Sequence, residues 1–165
     1  MPATLKEKTM LYVAKEVSVN GSREPGEPVL SRSQVWKGLE LKAGNALPFV
    51  AAMSKCEVVE LTENGLVRDI EIRGQASRER ITFYPGKKVV FLRLSGPIDG
   101  LITNEILEGK DGDMRLRFSF ALQLVDADSG SPQEQEFGMM MERDYTAAVD
   151  STLSAIRQAV NSGKL

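Results

Sequence analysis

The stretch Met114-Arg115-Leu116-Arg117-Phe118-Ser119-Phe120-Ala121-Leu122-Gln123-Leu124 is apolar at every second position, with Arg115, Arg117, Ser119 and Gln123 in between. A period of two sends successive side chains to opposite faces, so the pattern predicts a strand with one buried and one wet face. Beyond it, residues 126–133 hold Asp, Ser, Gly and Pro and read as a loop. Then Phe137, Met141, Tyr145, Val149, Leu153, Ile156 and Val160 recur in steps of three and four as far as Asn161. That spacing predicts a long amphipathic helix with one apolar stripe, stopped by Gly163. The stripe needs a sheet face, and the strand's apolar face needs a cover.

Working backwards, Gly109-Lys110-Asp111-Gly112-Asp113 separates the strand from Gly100–Glu108, and Pro85-Gly86-Lys87 separates Arg78–Tyr84 from Lys88–Leu94. Cys56–Thr62 and Leu66–Arg73 flank Glu63-Asn64-Gly65, and Asn-Gly between two such runs is a strong hairpin signal. Further back, Ser31-Arg32-Ser33-Gln34 has the spacing of a capping box. Val35, Trp36, Leu39 and Ala43 follow at helical spacing, and Gly44-Asn45 ends that helix. Ala46–Met53 predicts a second short helix, with Pro48 in its first turn. At the front Thr9–Asn20 alternates, with Leu11, Val13, Val17 and Val19 on one side and Lys15 as an interruption. The order is one strand, two short helices, a meander of six strands and a long terminal helix, which is an α+β domain.

The 165 residues include 21 Lys plus Arg, 23 Asp plus Glu, no His and one Cys. Without His there is no Ser-His-Asp or Cys-His catalysis and no His-containing metal site, and lone Cys56 builds neither a disulfide nor a zinc cluster. A net charge of −2 gives no general reason to bind nucleic acid or an anionic membrane. No run approaches the roughly 20 apolar residues of a membrane helix, and Met1–Lys8 lacks the apolar run of a signal peptide. The expectation is a cytosolic domain without metal or cofactor, without stable membrane insertion and without a nucleic-acid partner.

Leu30-Ser31-Arg32-Ser33-Gln34-Val35-Trp36-Lys37-Gly38-Leu39-Glu40-Leu41-Lys42-Ala43 and Phe49-Val50 carry a family resemblance. Glu79-Arg80-Ile81-Thr82, Val89-Val90-Phe91, Ile102-Thr103-Asn104-Glu105-Ile106 and Asp111-Gly112 support it. The chain resembles the START-like (SRPBCC) superfamily of the birch-pollen allergen, and in particular its AtaL-like bacterial and fungal subgroup. The resemblance implies one helix-grip domain over 1–165, in which a curved seven-stranded antiparallel sheet grips the C-terminal helix and two short helices close one end. It also implies a cavity between sheet and helix. The Gly-rich loop of the plant proteins is reduced here to Glu63-Asn64-Gly65, and the metal and nucleotide features of larger relatives have no counterpart.

On that resemblance, Phe118, Phe120 and Leu122 of the last strand, Phe91, and Met141, Tyr145 and Val149 of the helix are the expected lining, with Trp36 and Val35 closing the mouth. The alternative is an ordinary core filled by the same side chains. Met139-Met140-Met141 point in different directions, and only Met141 lies on the stripe. Arg93 shares a face with Val89 and Phe91, and Glu105 with Leu101, Thr103 and Leu107, so the two are expected to pair in the pocket or hold a substrate carboxylate, unless each reaches water. Tyr12, Tyr84 and Tyr145 are candidate donors to a ligand carbonyl. Asp69 and Glu71 are expected in solvent, as are the clusters Arg78-Glu79-Arg80 and Gly86-Lys87-Lys88, and Cys56 is expected to be buried and inert.

Three functions compete. The first is a binding or carrier protein for a hydrophobic small molecule (lipid, polyketide or aromatic). The second is an enzyme resembling polyketide cyclases and aromatases, which needs at least two of Glu105, Arg93 and Tyr145 to converge in one cavity. The third is a structural or interaction module without ligand, for which a stable homodimer is the mark.

Overall fold

The computed structural model describes residues 10–165. Its strands are β1 (Leu11–Ser18), β2 (Met53–Thr62), β3 (Gly65–Ile72), β4 (Gln75–Tyr84), β5 (Lys88–Ser95), β6 (Ile98–Glu108) and β7 (Met114–Leu124). Two helices, α1 (Arg32–Gly44) and α2 (Pro132–Asn161), complete it. The strands form one antiparallel sheet in the order β1-β7-β6-β5-β4-β3-β2. The expected helix-grip architecture is present, and β7 has the predicted limits. Thr9, expected to begin the first strand, and the Met1–Lys8 segment lie outside the described residues.

Local chemistry explains most element ends. Ser31 Oγ accepts from the Gln34 N–H at 3.2 Å and Gln34 Oε1 accepts from the Ser31 N–H at 2.9 Å, completing the capping box of α1. α2 begins before its first apolar residue because Ser131 caps it and Pro132 needs no N–H partner there. Gly65 sits where an added Cβ would lie 1.8 Å from the Ile81 carbonyl oxygen, so the β2–β3 turn admits no side chain at that point. Arg73 and Gly74, at φ 51° and 78°, make the tight β3–β4 turn.

The predicted second helix over 46–53 does not form. Phe49 and Val50 N–H groups donate to Ala46 O, Met53 N–H donates to Val50 O, and the chain then enters β2. Pro48 has no N–H to offer and Met53 is already paired with Ile72, so one turn closes and nothing propagates it. Residues 46–52 serve as a short wall between α1 and β2.

One sheet face is buried. Ile81, Val89, Ile106, Leu116, Phe118 and Leu122 pack with Val35 and Leu39 of α1 and with Met141, Val149, Leu153 and Ile156 of α2. The two helices cross at Gly38, where an added Cβ would lie 2.4 Å from Ile156 Cγ1. α2 lies close against β1, β7 and α1, while β3 to β6 stand further from it. That offset leaves space under one flank of the helix. No helix among the described residues is long and apolar enough to cross a membrane.

Candidate functional site

The space is a cavity of about 470 Å³ between the inner face of β3–β7, α2 and the 49–53 wall. Ile70, Phe91, Ile102, Phe120 and Met140 give it apolar sides. The helix contributes Ala147, Ala148 and Ser151, residues too small to reach the sheet. A second recess of about 590 Å³ adjoins it, and Ile72, Arg73, Arg93, Met140 and Tyr145 border both.

The floor is charged. Glu79 on β4 is 1% exposed, and Arg68 on β3 donates to its Oε1 through Nε at 3.0 Å, with Nη2 in ion-pair contact at 2.9 Å. Arg93 on β5 brings Nε to 3.1 Å from Glu79 Oε2. Arg68 Nη1 also donates to the Lys42 and Ala43 carbonyls at 2.9 and 2.8 Å, satisfying the end of α1. Lys42, in the last turn of α1, donates from Nζ to Asn104 Oδ1 at 2.8 Å and lies 4.3 Å from the Phe118 ring centre. Burial, reinforced by the Arg68 charge, pushes the Lys42 amine down to about 7.

Tyr145 stacks on Phe120 with ring centres 4.4 Å apart, and burial raises its hydroxyl pKa. At the rim, Arg73 of the β3–β4 turn forms an ion pair with Asp144 of α2. The arrangement therefore joins apolar walls to two buried guanidinium groups around one carboxylate, with a buried amine beside them whose pKa is lowered to about 7.

Residues 16–163 match the family described as acetylaranotin biosynthesis cluster protein L, AtaL. The chain belongs to the AtaL family. No sequence among the curated proteins matches it. Among solved structures, the Zhui aromatase/cyclase from Streptomyces sp. R1128 is similar at 18% identity and TM-score 0.67, over 94% of this chain and 98% of that one. The di-domain ARO/CYC StfQ from the steffimycin biosynthetic pathway is similar at 12% and 0.65, over 94% of this chain and 53% of that one. Ara h 8.0201 is similar at 13% and 0.55, over 93% of this chain and 99% of that one. At such identities the likeness is one of fold, the helix grip that the sequence resemblance implied.

In this AtaL-family chain Phe91, Arg93, Phe120 and Tyr145 line the cavity. Phe118, Leu122, Met141 and Val149 are fully buried in the packed core instead. Trp36 does not close the mouth: it lies edge-on to Phe83, with ring centres 6.2 Å apart, and lines neither space. Glu105 is on the other face of the sheet, where Arg117 Nη2 donates to it at 2.7 Å. The register explains this, because the inner residues of β6 are Ile102, Asn104 and Ile106, opposite Phe120, Phe118 and Leu116. Arg93 finds its carboxylate in Glu79, so the reading of Arg78-Glu79-Arg80 as solvated holds for the two arginines and fails for the glutamate. Asp69 faces outward as expected, bonded to Arg78 at 2.7 Å. Tyr12 and Tyr84 are exposed, Met139 is 74% exposed at the outer recess, and Cys56 is only partly buried.

Lys42, Arg68, Glu79 and Asn104 were not singled out as cavity residues in the sequence, yet the first three carried a signal. Arg68 alternates with Leu66 and Ile70, Glu79 with Ser77 and Ile81, and Lys42 falls seven residues after Val35 on the same helix face.

Proposed function

We propose that this AtaL-family chain, acting as one helix-grip domain over 1–165, binds a small and largely apolar molecule between sheet and α2, as a cytosolic carrier or binding protein for a lipid, polyketide or aromatic compound. The observation that carries the reading is the cavity itself. Its volume of about 470 Å³ falls in the range of roughly 300–1,000 Å³ of ligand pockets, and its polar groups converge at one end. Native mass spectrometry with organic extraction of purified protein, and titration with the neutral dye N-phenyl-1-naphthylamine, test it. A co-purifying small molecule or saturable dye uptake is expected. Protein that is always empty and takes up no dye overturns the reading and leaves the ligand-free interaction module.

A second reading, a cyclase-like enzyme using the same cavity, is favoured by one specific observation. Arg93 and Tyr145 do converge there, joined by an amine that is neutral part of the time at pH 7. Lys42 would take a proton from a carbon between two carbonyls, and Tyr145 would donate to a carbonyl oxygen. Incubation with a linear polyketone, followed by mass analysis for loss of water on ring closure, distinguishes this from passive binding. Equal rates for wild type and Lys42→Met would remove the second reading.

A further inference from the structure

The floor of the cavity holds more donors and more positive charge than it can satisfy. Two guanidinium groups, Arg68 and Arg93, share the single carboxylate of Glu79, and Lys42 adds an amine held by Asn104 rather than by a carboxylate. The other charged pair lining the cavity, Arg73 and Asp144, is neutral by itself. Arg68 spends its hydrogen bonds on Glu79 and on the end of α1. Arg93 does not: it is 7% exposed, and its Nε makes no aligned hydrogen bond despite its approach to Glu79. A guanidinium offers five donors and an ammonium three, and neither accepts. Buried charge without a counterion is costly, so an anion or a strong acceptor arriving with the ligand would complete this floor.

We infer that the ligand is an apolar carboxylate, its acid end held at the floor by Arg93 in the field of Lys42 and its apolar body lying along Ile102, Phe120 and Met140. This rests on the binding reading above and adds the chemical class of the ligand. A carboxylate suits the planar fork of an arginine better than a point charge does. The apolar walls reject a fully solvated anion such as acetate, which brings no surface to bury. Arg93 therefore sets preference and the walls set affinity.

The experiment is displacement of bound N-phenyl-1-naphthylamine by a matched pair, laurate and dodecanol, which differ in the acid end alone. Laurate is expected to displace the dye at roughly tenfold lower concentration, the worth of one charge-assisted hydrogen bond. Arg93→Met brings the ratio close to one, Arg93→Lys keeps part of it, and Lys42→Met lowers it. Glu105→Gln, on the opposite sheet face, leaves it in place. The ratio in wild type also falls as pH rises through about 7, where Lys42 loses its proton among Arg68, Glu79 and Asn104. Far-UV circular dichroism confirms that each variant is folded, and Arg93→Lys carries the test if Arg93→Met is not. Equal displacement by acid and alcohol in wild type, or a preference that survives in both Arg93→Met and Lys42→Met, overturns the inference while the binding site stands. Failure of the dye to bind at all overturns the binding reading instead.

Discussion

The two flanks on the underside of α2 face the same sheet and do opposite things with it. Along the stripe, Met141, Val149, Leu153 and Ile156 are fully buried against β1, β7 and α1. Toward β3–β5 the helix turns Ala147, Ala148 and Ser151 to a sheet that lies out of their reach. One flank is filled because its side chains are long enough, and the other is hollow because they are not. The hollow flank also has a charged floor, which a packed core would not tolerate without the compensating pairs made by Glu79. A cavity in this fold is thus written twice, in small residues on the helix and in buried charge on the strands.

The sharpest way to break that contrast is at the floor. Glu79→Leu strands two buried guanidinium groups, and a loss of about 3–5 kcal/mol in urea unfolding is expected. On the filled flank, Leu153→Ala opens a new void beneath α2 and costs about 2–5 kcal/mol by the same measurement.

Lys42→Met goes the other way and depends on pH. The Lys42 pKa is held at about 7 in the folded chain against 10.5 for the free group. Below about 7 both states carry the proton, and the folded state alone bears the cost of burying it. Between about 7 and 10.5 the unfolded chain binds more protons, so stability rises with pH across that window. The substitution is expected to raise stability below pH 7 by a few kcal/mol and to flatten the rise above it, read from urea midpoints at several pH values.

Smaller effects sharpen the comparison. Ala148→Leu extends a side chain into the hollow flank. It is expected to change stability by no more than about 1 kcal/mol, because space awaits it, while it abolishes dye uptake. Arg73→Ala breaks the exposed rim pair with Asp144 and is expected to cost between about 0 and 1 kcal/mol. If Ala148→Leu destabilised the chain as much as Leu153→Ala, the two flanks would not differ as described.

The filled flank was legible in the sequence, and the hollow one only in part, through Phe91, Arg93, Phe120 and Tyr145. Periodicity located β7 and α2, because burial against one face imposes a strict pattern on apolar residues. It misjudged Ala46–Met53, where helical composition lost to a proline and to the pairing of Met53 with Ile72. Of the polar floor only Arg93 stood out. Glu79 was hidden by exposed arginines on either side, and Glu105 was misread because the inner face of β6 is set by its register with β7. Charged residues on a buried face break the pattern that sequence reading depends on, and the site was built from them.

Gly38 has a reach beyond its own contact. It lets α1 settle directly on Ile156, and Lys42 lies just over one turn further along the same rigid rod. The depth of the amine above the sheet is therefore set by a residue that never touches the cavity. A single methyl group at that crossing would lever the end of α1 outward and tune the chemistry of the floor from a distance, leaving every residue of the lining unchanged.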